Sequence, residues 1–361
     1  MKKYLSRVAR ISLVITALSL LVYLLTIRYT PFADLVNSTV SVAVRFVLSS
    51  LTYLLPFSFF EWLIIFAPIL LVLVVWLLVR RRDTRAEMIK GTVSLLAVIG
   101  MILTSYIFTL GVGYRTSSLS DRVGIADDPD ISKDELYSTT LLLIDAVNKE
   151  AAALRAENGE TRMPYSEGEM SERLVHAYDI MNEEYSLLTN FTSRIKPVRF
   201  SGVMSDLGIT GIYSFFTGEA NVNVEYPDYY LPFTAAHEMA HQRGISRENE
   251  ANFVAFLVCI ASDDAYIRYS GYLNMYEYLS IALYRTDRKL YYETEKLLHD
   301  VALSDMDAAY DVYLLHKDSP LGKINTKLND LYLKANGTEG VVSYNYVVRL
   351  TVGYYQKQNN M

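Results

Sequence analysis

Apolar positions are spread very unevenly along this chain. Val8 to Ile27 forms an almost unbroken apolar run behind Lys2, Lys3, Arg7 and Arg10. Trp62 to Val79 carries no charge, and Gly91 to Val112 makes a third apolar stretch. Each is about 18–22 residues long, enough at a rise of ~1.5 Å per residue to cross a hydrocarbon layer of about 30 Å. No small-x-small cleavage site follows the first run, which therefore reads as a retained span rather than a signal peptide. Ser38 to Leu55 is less apolar, contains Arg45 and several hydroxyl residues, and stops at Pro56. This pattern predicts an interfacial helix over about 38–55, with a further spanning helix as the alternative. Basic residues precede the first span, and Arg80, Arg81, Arg82 and Arg85 separate the second from the third. Cytoplasmic loops collect such residues. The expectation is a multi-pass cell-membrane protein with a cytoplasmic amino terminus, spans at about 8–27, 62–79 and 91–112, and everything after Tyr114 outside the cytoplasm.

Beyond the 1–115 anchor the period changes to that of amphipathic helices. Residues 116–132 read as a polar linker. Ser132 with Glu135 is a capping-box signal that opens a helix to about Glu157, where Asn158-Gly159 breaks it. Ser166 with Glu169 opens a second, from Glu167 to about Leu188. Lys196 to Thr217 holds short apolar pieces punctuated by glycine, suited to a small sheet or irregular extended chain. Gly218 to Tyr226 alternates and ends at Pro227, as a strand does. Helical patterns follow over 248–262, 272–298, 300–317, 321–334 and 341–356. The fold class expected is mainly α: transmembrane helices, then an α+β domain over 133–361 dominated by helices.

Charge sharpens this division. Residues 1–115 carry twelve lysines and arginines against four acids, a net +8, so the remainder carries −14 for the whole-chain value of −6. So acidic a domain argues against nucleic acid, which needs a basic surface. The single cysteine, Cys259, lies in an apolar run and can form no disulfide within the chain. The 29 tyrosines, mostly downstream of residue 200, fit a helical core whose hydroxyls reach polar partners.

Candidate chemistry is concentrated in Thr234-Ala-Ala-His237-Glu238-Met-Ala-His241-Gln-Arg-Gly244. On a helix His237 and His241 lie one turn apart on one face, with Glu238 beside them. Two imidazoles at this spacing next to a glutamate form the H-E-x-x-H arrangement, in which the histidines hold Zn²⁺ and the glutamate is the general base. Such a site needs a third protein ligand. Candidates are Glu248, Glu250, His176, His299 and His316. Glu250 is favoured, because it begins an apolar helical run where an unpaired carboxylate would be costly. Glu248 reads better as a first-turn residue behind an N-cap at Ser246. Tyr266, Arg268, Tyr269 and Tyr272 are candidate oxyanion donors. Asp263 and Asp264 are candidates to accept the second N–H of a ligating ring, and Arg243 and Arg247 to balance charge.

Leu231 to Gly244, together with Arg247 to Phe253, Gly218 to Asn223, Arg268 to Leu273 and Tyr332 to Gly337, resembles DUF3810, a bacterial family of uncharacterised membrane proteins. The resemblance implies N-terminal transmembrane helices joined to a zincin-like domain over nearly the full length. A wider likeness is to gluzincin peptidases, which implies zinc on His237, His241 and Glu250 with Glu238 as base. The chain departs from that pattern at Val254, where some gluzincins carry an aspartate. The activity expected is a membrane-anchored zinc peptidase acting on peptide or protein substrates outside the cytoplasm, with residues 219–226 as an edge for a substrate strand. Hydrolysis of cell-wall peptide or amide bonds, and a non-catalytic zinc-containing sensor or scaffold, are the alternatives. Glu238 weighs against the last, since a structural zinc needs no base beside it.

Overall fold

The computed structural model describes residues 6–80, 85–128, 130–154, 156–157 and 159–359. Lys2, Lys3, residues 81–84 of the basic cluster, Pro129 of the expected linker and the expected break at Asn158 lie outside them. The chain divides into two compact units, residues 1–116 with 214–219, and residues 117–213 with 220–361.

The first unit is built from α1 (Arg7–Arg28), α2 (Thr30–Val36), α3 (Val42–Tyr53), α4 (Phe59–Arg80) and α5 (Arg85–Tyr106). A π-helical turn, Asn37–Ser41, joins α2 to α3, so residues 30–53 are helical throughout. Among the described residues four helical stretches could cross a membrane by length and composition, Thr30–Tyr53 among them. Their packing separates that stretch from the other three. Thr16 lies against Gly100, and Tyr23 against Gly111, so α1 runs parallel to the helix that begins with α5. Helix α4 starts beside the end of α5. The amides of Phe59 and Phe60 donate to Glu219 at 2.9 and 2.7 Å, while Ser105 and Thr109 donate to the Phe215 carbonyl. The contacts of residues 30–53 include several at this end. Helix α2 packs on residues 113–115, Arg45 donates to the Phe108 carbonyl, and Thr52 to that of Thr217. Arg45 is buried, with its guanidinium turned onto the Asn37 side chain and carbonyl at 2.9 Å. The outward side chains of α4 are aliphatic and aromatic, with Leu71 65% and Val72 69% exposed in the isolated chain.

The second unit begins with α6 (Leu119–Val123) and α7 (Lys133–Ala151). The stretch expected as a polar linker over 116–132 therefore contributes to the core, with Leu119, Val123 and Ile125 buried. The Ser132–Glu135 capping box forms as the sequence predicts. Helix α7 stops at Ala151, ahead of the expected Glu157, and a short hairpin of β1 (Ala156–Glu157) and β2 (Glu160–Thr161) follows. Helix α8 (Glu167–Tyr185) is capped by Ser166 and ends in a left-handed Ser186. Next come β3 (Lys196–Val198), α9 (Ser201–Asp206), β4 (Gly211–Tyr213) and β5 (Ala220–Asn223). They form a three-stranded sheet in the order β3-β5-β4, with β5 parallel to β3 and antiparallel to β4. Strand β5 is thus central, and residues 220–223 are not the free edge expected. The asparagines that made the segment look alternating are buried: Asn221 donates to the Ile212 carbonyl, and Asn223 to Ser205 and the Ile209 carbonyl.

The remaining helices are α10 (Tyr230–Gln242), α11 (Glu248–Ala261), α12 (Ala265–Thr286), α13 (Arg288–Glu295), α14 (Asp300–His316), α15 (Pro320–Ala335) and α16 (Val347–Asn359), with a 3-10 turn over Gly340–Tyr346. The single helix expected over 272–298 is split at Asp287, whose carboxylate caps α13. Helices α10, α11 and α12 pack on one another and on α7 and α8, enclosing Phe253, Phe256, Tyr269 and Tyr276 in one core.

Candidate metal centre

Helix α10 carries both histidines. Pro232 falls in its first turn, where no intrahelical N–H is needed. Gly244 ends it at φ 101°, a backbone state that suits glycine, and the Ile245 amide returns to the Ala240 carbonyl at 3.0 Å. The reversal delivers the chain straight into α11, with Arg247 rather than Ser246 as the N-cap residue and Glu248 as the first helical position.

Glu248, not Glu250, faces the histidines. Its Oε2 lies 3.2 Å from His237 Nε2 and 3.5 Å from His241 Nε2, and the two nitrogens are 3.0 Å apart. Side chains two positions apart on a helix point about 200° away from each other, so only one of the two carboxylates can reach α10. Glu250 is buried elsewhere, accepting from the Leu119 amide at 2.9 Å and from Arg247 at 2.8 Å. Those bonds, rather than a metal, offset the desolvation on which the sequence argument for Glu250 rested. Of the other candidates, His176 faces exposed Asp263, His299 caps α14, and His316 sits between Asp206 and Glu225.

The ring orientations suit a cation. His241 Nδ1 donates to the Ile245 carbonyl at 2.7 Å, and His237 Nδ1 to Asn252 Oδ1 at 2.8 Å. With both protons held there, each neutral ring turns an Nε2 lone pair toward the other and toward Glu248. Three such donors repel one another unless a positive charge lies between them, either a metal ion or a proton on His241 that the metal would displace. A tetrahedral zinc with bonds of ~2.0–2.2 Å would separate its ligand atoms by about 3.3 Å, and the three observed separations bracket that value. The donor set therefore fits zinc. Asn252 also revises the expectation for the outer partners. It stands four residues after Glu248, on the same face, and with the Ile245 carbonyl it takes the place expected of Asp263 or Asp264. Asp264 instead caps α12 and accepts from Tyr165 and Arg173.

Electrostatics follow the same geometry. Burial pulls the His241 imidazolium down, but the Glu248 carboxylate more than compensates and leaves the ring at about 9. The two histidines hold Glu248 well below the usual carboxylate range despite its burial. Glu238 is 5% exposed, and burial pushes its carboxyl up. It lies directly against the edge strand. A Cβ on Gly211 would fall 2.5 Å from Glu238 Oε1, and the Tyr213 amide is bonded to the carboxylate. Glycine at 211 is what allows this approach.

The proposed oxyanion donors are engaged elsewhere. Tyr266 meets Thr161, Tyr269 donates to Asp305, Arg268 pairs with Glu150, and Tyr272 packs edge-on against Phe256. Arg243 is a packing residue. Its guanidinium lies over Tyr178 at 4.3 Å, bonds Asn190 and the Phe191 carbonyl, and is lowered to about 10 by burial. Sequence reasoning missed Tyr278 and Tyr344. Burial raises both phenols, the Glu248 charge adds to each, and that of Glu238 adds to Tyr344. No motif marks them, because the 3-10 turn bearing Tyr344 reaches α11 only through the tertiary fold.

No curated protein and no solved structure matches the chain. A family model described as Protein of unknown function (DUF3810) matches residues 37–352, which is most of the chain, and the protein therefore belongs to that family.

Proposed function

We propose that the protein is a membrane-anchored zinc hydrolase of peptide bonds, acting outside the cytoplasm, with His237, His241 and Glu248 as metal ligands and Glu238 as general base. The observation that carries this reading is the convergence of two Nε2 lone pairs and a carboxylate beside a second, buried carboxylate. Zinc in such a site supplies Lewis-acid chemistry, acidifying water and polarising a carbonyl. Glu238 takes the proton of the attacking water and passes it to the leaving amine; its raised affinity for a proton suits both transfers. Asn252 and the Ile245 carbonyl hold the two rings in register for the metal. Strand β4 offers the substrate edge. It is an edge of the three-stranded sheet and Gly211 lies against Glu238, which is where an extended peptide would add to the sheet.

For the membrane unit the reading is three spans, α1, α4 and α5, with residues 30–53 held at the outer end. The parallel course of α1 and α5, and the return of residues 30–53 to the end where α4 starts, support it. Reporters fused after Lys90 and after Asp130 should then report cytoplasmic and external positions respectively; the same side for both would refute it.

The chemical test is Glu238→Gln in the full-length protein reconstituted in lipid. Glutamine keeps the shape but cannot take a proton. Cleavage of a peptide library should fall ~10²–10⁴-fold at unchanged zinc content and melting temperature. Equal rates would remove Glu238 from the mechanism, and absence of turnover by the zinc-loaded wild type would overturn the peptidase reading.

A further inference from the structure

Helix α15 is turned inside out for a helix in water. Its asparagine side faces the protein: Asn325 donates to the Leu207 carbonyl, Asn329 approaches the Tyr344 hydroxyl, and Leu333 and Asn336 are buried. Its aliphatic side faces away. Leu321, Ile324, Leu328 and Leu331 recur at spacings of three, four and three, which place them on one stripe, and they are 46%, 56%, 59% and 64% exposed. Leu314 and Leu315, at the end of α14 just before it, are exposed too. Scattered exposed leucines are ordinary, but a continuous stripe on one helix marks an interaction surface.

The flanking charges identify the partner. The acidic remainder of the chain carries −14, yet α15 has Lys323, Lys327 and Lys334 against Asp330 alone. The three lysines are exposed and run along one border of the leucine stripe, and Asp330 pairs with Lys334 at 2.7 Å. An apolar face bordered by lysine is the pattern of a helix lying in the plane of a bilayer surface, its aliphatic side among the acyl chains and its ammonium groups at anionic headgroups. Among the described residues the same chain has four helical stretches long and apolar enough to cross a membrane, which supports a bilayer as the neighbouring surface.

We infer that α15 is an interfacial helix that docks the second unit onto an anionic lipid surface through Leu321, Ile324, Leu328 and Leu331. The inference is independent of the zinc reading, since it uses no residue of the metal centre.

The test uses the full-length protein in vesicles containing phosphatidylglycerol. Cys259 is fully buried, so Ile324→Cys and Leu328→Cys can be labelled selectively with bimane, and Thr326→Cys on the exposed polar side serves as control. Brominated acyl chains should quench the labels at 324 and 328 severalfold more than that at 326. Aqueous iodide should show the reverse order. Two separate positions guard against one substitution disturbing the fold. Lys323→Gln with Lys327→Gln should weaken bromolipid quenching at 328. Labels at 324 and 328 open to iodide and untouched by bromolipid would overturn the inference. So would shielding without bromolipid quenching combined with pyrene excimers between labelled chains, which would assign the face to a second copy.

Discussion

The second unit contains two kinds of buried acidic cluster. Around Asp305 the hydrogen-bond partners are donors: the Thr161 amide and hydroxyl at 2.8 and 2.7 Å, and the Tyr269 hydroxyl at 2.7 Å. Glu277 is similar, accepting from Tyr229 and Tyr230 at 2.9 and 3.1 Å. Around Glu248 the nearest groups are two imidazole nitrogens whose protons are committed on the far side of each ring. The first kind is closed, its lone pairs met by hydroxyl and amide donors, and it ties helices together. The second is open on the Nε2 side of both rings, and it is completed either by a proton on His241 or by a metal ion that displaces that proton. The difference separates structure from chemistry where burial alone does not.

The largest effects should come from breaking the open cluster. Glu248→Ala should lower zinc affinity by more than the ~10–100-fold typical of losing an outer-shell partner, and Asn252→Ala by about that amount. Glu250→Ala should leave zinc bound, although it strips the Leu119 amide of its acceptor and destabilises the unit. Metal content measured after dialysis against a graded chelator ranks the three. If Glu250→Ala loses zinc and Glu248→Ala keeps it, the ligand assignment is wrong.

How much of this was legible in the sequence follows from the same residues. His237, Glu238 and His241 were readable because their geometry is set within one helix turn, where spacing alone fixes direction. The third ligand was not, because it depends on tertiary placement. Positions 248 and 250 point about 200° apart wherever the helix begins, and which of them faces α10 is set by how the turn at Gly244 lays α11 against α10, which the pattern does not carry. The runs of α4 and α11 are both apolar, yet Leu71 and Val72 are exposed while Ala251 to Cys259 are all buried. Run length and flanking arginines distinguished them. Strand order was hidden, since buried Asn221 and Asn223 imitate a solvent-facing side.

A closed cluster should fail differently. Asp305→Ala leaves the Thr161 amide and hydroxyl and the Tyr269 hydroxyl without their acceptor, in a site with no solvent access. Unsatisfied buried groups cost ~1–3 kcal/mol each with partial relaxation, so a loss of about 2–4 kcal/mol is expected. Thermal unfolding should show it, with zinc affinity of the folded protein unchanged. Loss of zinc at full stability would mean that the two clusters are not separate.

The smallest effect, and the most specific, is the pH response at Glu277. Burial pushes its carboxyl up to about 7, although the Tyr229 and Tyr230 hydroxyls favour the charged form and hold it down. The folded protein thus binds this proton more tightly than the unfolded chain, where a glutamate titrates near ~4.3. Below that unfolded value both states are protonated and the group contributes no pH dependence. As pH rises from there toward 7, the unfolded chain releases its proton first and stability falls; above 7 both states are ionised and the full penalty is present. Glu277→Gln removes the ionisation while its carbonyl still accepts from one tyrosine. The variant should match wild type or be slightly weaker near pH 4.5, then gain on it steadily, reaching roughly 1–3 kcal/mol of relative stability by pH 8. Denaturant unfolding of both proteins across that range measures the difference. A difference that stays constant with pH would show that Glu277 titrates alike in the folded and unfolded chains, and that its two tyrosines balance the desolvation completely.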